Sequence, residues 1–597
     1  MELLILLLQR RGELVSRDEI AERLWGKDVF LDVDHSINVA VRKVRAALRD
    51  NPERPRFVET VVGKGYRFAA SVICNNGDAD LQVQPLPPPA QPASGSARLT
   101  TENRSVSTRL KVLLGGAVVL AIFMIALGLN RGGGKGVKPP PIRSLAVLPL
   151  KNLSGDTTQE YLADGMTESL IGRLSGIHDL RVISRTSVMH FKDTQTSVPE
   201  IAKALQVDAI VEGSVIREGS RIRVHAQLIR GATDEHFWSE TYDRDLQDVL
   251  ALESEVAQSI SAKVQATVSG KEQERLAKVR SVSPEVYEDY LRGQFALAKS
   301  NDKAGDDESI KYFRQALDKD PTFAPAYVGL AEAYTSLGTI FVGVPPEETR
   351  PKAIIAARKA LELDPDLGEA HAQLAIVLQQ EWRWSDAEVE FQRALELNPS
   401  GGDAYAGSAY WLMCQGRTQE AIAWAQRGRE LDPLAINGIN EILFQSHGYD
   451  EAIRESNAVL AVRPDDGGAL WISGAALIAN NQPADAISPL EKIVSISHGS
   501  PAATGVLIRA YAHAGRRADA LRLLAELKHR RESGYVPAGA FVNAYLGLGD
   551  NEQAFAWLEQ AYREHSNILM FLKTHPYFDP LRSDPRFQDL VRRVGLN

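Results

Sequence analysis

The chain has 597 residues, which is too many for one hydrophobic core and implies three or more domains. Its formal net charge of -9 is unevenly divided: residues 1–111 carry 17 basic and 14 acidic side chains, and the remainder carries 51 and 63. The two cysteines, Cys74 and Cys414, exclude a disulfide framework and argue against a cysteine-rich zinc site.

Two helices are predicted near the start of the chain. Ser16 is a suitable cap for RDEIAERLW, and HSINVAVRKVRAALRD follows about ten residues later. At 100° per residue the second helix has an apolar face of Ile37, Val41, Val44 and Leu48 and a polar face of Asn38, Arg42, Arg45 and Arg49. No acidic residue occurs between Ser36 and Arg49, whereas solvated helix faces usually mix both signs of charge.

A strand pair is predicted next, in VETVVGKGYRF, with a turn at Gly63-Lys64-Gly65. The glycines do not have the spacing of a phosphate-binding nucleotide loop. Taken alone, the turn could simply be solvated. Two helices followed by a strand pair is the order of a winged helix, in which Lys64 would contact a DNA phosphate.

The segments SRDEIAERLW, INVAVRKVRAAL and FVETVVGKGYRF resemble the effector domain of OmpR/PhoB-type response regulators, from Glu2 to about Ala70. The resemblance implies that the helix Ser36–Arg49 reads the major groove, that the wing touches the minor groove, and that the loop Gly26–His35 can contact RNA polymerase. We expect no receiver domain before the effector domain. The family's amino-terminal sheet is also missing, so either the start codon is misassigned, which we favour, or the domain is trimmed.

Residues of this domain that are expected to bind double-stranded DNA lie on the second helix and the wing: His35, Ser36, Asn38, Arg42, Lys43, Arg45, Arg49, Thr60, Lys64, Tyr66 and Arg67. A homodimer is expected on DNA, because one copy makes few groove contacts.

Residues 74–108 are rich in Pro, Ser, Gln and Ala and predict a disordered linker. Residues 109–131 predict a single membrane-spanning helix, because positions 112–129, VLLGGAVVLAIFMIALGL, hold no polar side chain and would extend about 27 Å. A buried helix of a globular domain is the alternative. Arg109 and Lys111 before the segment and Arg131 and Lys135 after it are typical of membrane borders.

Basic residues on both sides leave the orientation undecided by the positive-inside rule. DNA binding would place the winged helix in the cytoplasm and residues 142–597 outside it, in a bacterial inner membrane. Cys74 and Cys414 would then lie in different compartments.

From residue 142 to 270, strand-like and helical runs alternate, which predicts an α/β domain with a mixed sheet. SLAVLPLKNLSGD, YLADGMTESLIGRLS and DAIVEGSV resemble the TolB-like amino-terminal domain that is often joined to tetratricopeptide repeats. The histidines of this region, His178, His190, His225 and His236, lack metal-ligand spacing, and no catalytic constellation or cofactor site is recognised.

Residues 283–572 predict an all-α solenoid of tetratricopeptide repeats. Pro365, Pro399 and Pro433 follow one another at 34-residue intervals, and each closes a predicted helix. The period predicts about seven or eight repeats, whose concave groove would bind a protein or peptide; a purely structural spacer is the alternative. Residues 573–597 form a tail that resembles the usual end of such repeat proteins.

The predicted fold class is therefore multidomain: a winged helix-turn-helix (α+β), one transmembrane helix, an α/β TolB-like domain and an all-α solenoid. The arrangement resembles the CadC/ToxR-like membrane-anchored regulators, which implies a non-enzymatic transcriptional regulator that senses an extracytoplasmic signal. The alternative is an envelope scaffold with a vestigial winged helix.

Overall fold

The computed structural model describes residues 2–70 and 141–596, with gaps at 11, 18, 21–22, 24–36, 38–40, 42–43, 46–47, 49, 51–54, 62–63, 279–281, 301, 340–342 and 435–437. The chain divides into two compact units, Met1–Gly134 and Lys135–Asn597. The predicted linker at 74–108 and the predicted span at 109–131 lie outside the described residues. Among the described helices, none combines the length and apolar character that a bilayer crossing requires.

The first unit contains helix α1 (Glu2–Gln9) and the strands β1 (Leu14–Ser16), β2 (Val58–Val61) and β3 (Gly65–Phe68). The strands form an antiparallel sheet in the order β1-β3-β2. The predicted strand pair is confirmed, and β1 is an additional strand that was not predicted from the sequence.

Helical residues of the first unit support the predicted amphipathic pattern. Ile37, Val41 and Val44 are buried against the sheet core, and Leu48 packs on that core from its edge. The predicted cap is also observed, since the Ser16 hydroxyl accepts a hydrogen bond from the Glu19 backbone N–H at 3.2 Å.

The second unit begins with an α/β region. Its strands are β4 (Ser144–Val147), β5 (Lys151–Asn152), β6 (Arg181–Val182), β7 (Ala209–Glu218), β8 (Arg221–Arg230) and β9 (Glu235–Asp245). Its helices are α2 (Glu160–Ser175), α3 (Arg185–Val188), α4 (Val198–Leu205), α5 (Val249–Val264) and α6 (Gly270–Ala277). The predicted mixed sheet is confirmed: β6, β4 and β7 are parallel, and β7, β8 and β9 are antiparallel.

A long helical region follows. Its helices are α7 (Pro284–Lys299), α8 (Lys303–Lys319), α9 (Ala324–Leu337), α10 (Pro346–Leu363), α11 (Gly368–Gln380), α12 (Trp384–Leu397), α13 (Gly402–Cys414), α14 (Thr418–Leu431), α15 (Ile439–Gln445), α16 (Tyr449–Val462), α17 (Gly467–Ala479), α18 (Pro483–Ile496), α19 (Pro501–His513), α20 (Arg517–Ser533), α21 (Ala538–Leu548) and α22 (Asn551–Arg563). They form eight successive pairs within the described residues, in agreement with the predicted number.

The prolines mark the helix ends as predicted. Helices α10, α12 and α14 each end two residues before Pro365, Pro399 or Pro433, because a proline disfavours helical geometry in the residue before it. In seven of the eight pairs, from α10 onward, the second helix places a fully buried alanine in its first half, which allows the two helices to approach closely. These alanines are Ala353, Ala387, Ala421, Ala452, Ala486, Ala520 and Ala554.

Beyond α22 the chain turns back over the repeats. We call residues 565–596 the closing segment. It contains two 3-10 helices, Asn567–Phe571 and Pro576–Leu581, and the last helix, α23 (Pro585–Arg593). Apolar side chains of this segment are buried: Ile568, Leu569, Met570, Phe571, Leu572, Tyr577, Phe578, Leu581, Phe587, Leu590, Val594 and Leu596.

Candidate nucleic-acid interface

Lys64 lies at the tip of the β2–β3 hairpin. Val61 pairs with Gly65 across the hairpin, and the Lys64 backbone N–H donates to the Val61 carbonyl at 3.0 Å. The backbone of the tip is therefore held by a turn hydrogen bond, while the Lys64 side chain is exposed. A fixed turn with an exposed cation suits a phosphate contact.

Gly65 is required by the packing of the hairpin on β1. Its φ is +149°, and a Cβ at this position would lie 2.0 Å from the Val15 carbonyl oxygen. Only a residue without a side chain lets β3 approach β1 so closely. The second glycine of Gly-Lys-Gly thus serves the sheet.

Arg45 connects the predicted DNA-reading helix to the wing. Its Nη2 donates to the Val58 carbonyl at 2.9 Å and to Thr60 Oγ1 at 2.7 Å. Two of the predicted site residues, Arg45 and Thr60, are therefore in direct contact. This contact fixes the position of the helix relative to β2.

Asp50 organises the entrance to β2, a role that was not predicted from the sequence. Its buried carboxylate accepts hydrogen bonds from the backbone N–H groups of Arg56 at 2.6 Å, Phe57 at 3.3 Å and Val58 at 2.8 Å. The only local sequence signal was an aspartate at the end of a predicted helix.

The other wing residues also have partners within the chain. Arg67 pairs with Glu59 across the hairpin, with Nη2 2.6 Å from Oε2. The Tyr66 ring is buried, and its hydroxyl accepts from Arg17 Nη2 at 3.1 Å. Both residues hold the wing together, and Tyr66 presents little surface to a ligand.

The remaining predicted residues, His35, Ser36, Asn38, Arg42, Lys43 and Arg49, lie outside the described residues. Their contacts with DNA stay predictions, as do those of Arg45, Thr60, Lys64, Tyr66 and Arg67.

The histidines of the α/β region make hydrogen-bonding contacts within their own fold. His178 Nδ1 lies 2.8 Å from Glu272, His225 Nδ1 lies 3.1 Å from Thr241, and His236 Nδ1 lies 3.1 Å from Gln227. His190 Nδ1 lies 3.0 Å from the Thr186 carbonyl. Within the described part of the chain, no three His, Cys, Asp or Glu side chains gather as metal ligands.

Comparison with protein families defines three classes of domain. Residues 1–68 match "Transcriptional regulatory protein, C terminal", and residues 142–260 match "HilA/YgeH-like transcriptional regulator, second domain". Residues 372–436, 441–504 and 477–533 match tetratricopeptide repeats. The chain thus has an OmpR/PhoB-type winged-helix DNA-binding domain, a HilA/YgeH-like second domain and tetratricopeptide repeats. The likeness of residues 142–270 to TolB stays a prediction.

Particular relatives share parts of the chain. It is 34% identical over 256 residues to "Putative adenylate cyclase 3" of Rhizobium meliloti, covering 42% of this chain and 43% of the relative. It is 46% identical over 65 residues to the master transcriptional regulator RpaA of Synechocystis, covering 11% of this chain and 27% of RpaA. It is 28% identical over 92 residues to the transcriptional activator CadC of Escherichia coli, covering 15% of this chain and 18% of CadC. The chain spans less than half the length of each of these relatives.

Among solved structures, the human IFIT1 dimer with a capped RNA is 14% identical, with a TM-score of 0.35 over 58% of this chain and 76% of that chain. YrrB, described as a tetratricopeptide repeat protein with an unusual peptide-binding site, is 21% identical, with a TM-score of 0.22 over 31% of this chain and 93% of that chain.

Proposed function

We propose that the protein is a transcriptional regulator that binds promoter DNA through its winged helix. The observation that carries the proposal is the domain at residues 1–68, which matches the DNA-binding part of transcriptional regulators and has an exposed lysine at the tip of its hairpin. A helix with arginines on one face would enter the major groove, and Lys64 would contact the phosphate backbone. A homodimer on DNA and a contact with RNA polymerase through the loop 26–35 belong to this proposal.

We further propose that the protein is anchored in a bacterial inner membrane by residues 109–131. The apolar run at 112–129 and the basic residues at both of its borders support this anchor. The winged helix would lie in the cytoplasm, and the α/β region and the repeats would lie outside it, where they would detect a signal or a protein partner.

The rival proposal is an envelope scaffold whose winged helix no longer binds DNA. An enzymatic role is a further alternative, because one relative is named as an adenylate cyclase; the match covers 43% of that relative. We favour a regulator without catalytic activity, because two separate regions of the chain match transcriptional regulators.

Replacement of Arg42 separates the regulator from the scaffold. Genome-wide mapping of bound DNA in cells that produce the full-length protein should identify discrete promoter sites, and Arg42→Ala should abolish them while the protein level stays unchanged. Arg10→Ala is the matched control, because Arg10 is exposed and already pairs with Glu13 and Glu19 at 3.1 and 2.8 Å. If Arg42→Ala still occupies the same promoter sites, the proposal that the predicted helix Ser36–Arg49 reads DNA would lose its main support.

Compartment reporters fused after Cys74 and after Asn597 test the membrane arrangement. We expect cytoplasmic activity at the first position and extracytoplasmic activity at the second. Cytoplasmic activity at both positions would refute the single membrane span. It would leave the proposal that the winged helix binds DNA unchanged.

A further inference from the structure

The closing segment contacts the first helix of several successive pairs. Lys573 Nζ donates to the Gln415 carbonyl, just beyond α13, at 3.3 Å, and Thr574 Oγ1 donates to Gln445 Oε1 in α15 at 3.1 Å. Tyr577 Oη donates to the Ala475 carbonyl in α17 at 3.1 Å. Because each contact falls on the first helix of its pair or just beyond its end, the segment follows one continuous surface of the array.

That surface is the concave one. Ile568 lies against Gly539 in α21, and the ring of Phe571 meets the ring of Tyr410 in α13, with the centroids 5.4 Å apart. Three residues span at most about 11 Å, whereas α13 and α21 are four pairs apart in the array. Both helices can contact residues 568–571 only if the array of helix pairs curves around these residues.

Arg350 of α10 is positioned to hold the start of the segment. Its side chain is fully buried, and Nη1 donates to the His565 carbonyl at 2.7 Å and to the Gln380 carbonyl at 2.9 Å. Nη2 donates to the Asn567 side chain. A buried guanidinium is costly unless its N–H groups find acceptors, and the closing segment supplies two of them. Trp382 stacks on the His565 ring beside this contact, with the centroids 4.4 Å apart.

Tyr577 is held farther along the closing segment, by residues of α15, α17 and α19. The Arg509 guanidinium lies 3.7 Å from the centroid of its ring, and the Phe444 ring meets it at 5.9 Å in an edge-to-face arrangement. Both the ring and the hydroxyl of Tyr577 are therefore bound, the ring by a cation and an aromatic edge, and the hydroxyl by the carbonyl in α17.

We propose that the concave surface of the repeats is a peptide-binding site, and that its ligand is residues 565–581 of the chain's own closing segment. These residues exclude partner peptides from the concave surface. Partners of the repeats then bind the outer surface or the edges of the array. The proposal concerns the repeats alone and is independent of DNA binding, so that its failure would leave the regulator assignment intact.

Hydrogen exchange on the full-length wild-type protein tests the occupancy directly. Backbone amides of residues 567–581 should exchange as slowly as those of α13 to α19, because they are enclosed by these helices. Exchange of residues 567–581 at the rate of exposed chain, while the helices remain protected, would overturn the proposal.

A labelled synthetic peptide with the sequence of residues 565–581 tests the exclusion. Tyr577→Ala, which loosens the chain's own segment, should bind the peptide at least about tenfold more tightly than the full-length wild type does. Arg592→Ala is the control, because Arg592 is exposed on α23, and it should behave as the wild type. Equal uptake by the wild type and by Tyr577→Ala would contradict the exclusion. If Tyr577→Ala fails to fold, the exchange measurement on the wild type decides.

Discussion

Lys64 and Gly65 are neighbours with different tasks: one has an exposed side chain at the hairpin tip, and the other is fixed by the close approach of β1. Substitutions at the two positions should therefore have separable effects, one on DNA binding and one on folding.

Lys64→Ala should weaken DNA binding by a similar factor for all sequences. A phosphate contact carries no base specificity, so loss of one cation should reduce the slope of log K against log salt by about one. Titrations of the full-length protein with specific and unrelated duplexes at several salt concentrations measure this, with Arg10→Ala as the control. A loss confined to one base position would show that Lys64 reads a base edge.

Gly65→Ala should unfold the winged helix, because the added Cβ would lie 2.0 Å from the Val15 carbonyl oxygen. We expect a loss of more than about 3 kcal/mol. Gly12→Ala is the matched control: Gly12 has a φ of +81° but open space around it, so the cost should be about 1 kcal/mol. Denaturant unfolding measures both, and equal losses would mean that β1 moves aside.

At the scale of elements, the helix pairs were predictable because their signals are local. The signals are the prolines two residues beyond α10, α12 and α14 and the buried alanine in the second helix of seven pairs. They reflect contacts between neighbours in sequence. The path of the closing segment could not be predicted, since Arg350 meets Asn567 across 217 residues. Strand β1 was missed because three residues carry no recognisable period.

At the candidate site, the apolar helix face and the hairpin followed from periodicity. The partners of Arg45 and Asp50 did not, because they depend on how the helix meets β2.

His575 should make the closing segment sensitive to acid. Burial, with Arg509, Arg582 and His447 nearby, lowers the pKa of His575 to about 3. Its neutral Nδ1 accepts from the Tyr577 backbone N–H at 3.2 Å, and its ring meets Phe444. Because the usual pKa is about 6.5, the unfolded chain binds more protons between pH 6.5 and about 3. The free energy of unfolding should therefore fall as the pH drops through this window.

His575→Gln, which does not titrate, should lose less stability than the wild type between pH 7 and pH 4.5, by roughly 2–3 kcal/mol. Thermal or urea unfolding of both proteins at the two pH values measures the difference. Parallel loss in the two proteins would assign the acid sensitivity to another group.

At the scale of the whole second unit, the α/β region is fastened to one edge of the repeats. Arg181 Nη1 donates to the carbonyls of Glu430 and Leu431, both at 3.0 Å. The buried Asp432 accepts from the Ser184 backbone N–H at 2.9 Å and from the Ser187 hydroxyl. Ser400 Oγ accepts from the Val182 N–H and donates to the Leu180 carbonyl. We infer that a ligand bound by either the α/β region or the repeats would affect the conformation of both.

Asp432→Ala should uncouple the two parts. It leaves the Ser184 N–H and the Ser187 hydroxyl without their acceptor, at a cost of about 1–3 kcal/mol. Hydrogen exchange of the full-length protein should become faster in residues 181–188 and stay unchanged in α17 to α20. Glu430→Ala is the control, because Arg181 binds the carbonyl of Glu430 and not its side chain. Equal acceleration throughout the unit would indicate global destabilisation instead.

The closing segment also sets the order in which the protein can mature. Residues 565–596 leave the ribosome after every helix that they contact, including those around Arg350 and Trp384. Until these residues emerge, the apolar surface that they cover in the folded protein would be exposed, and it could bind chaperones or other polypeptides. Premature termination within the segment would fix the chain in this state.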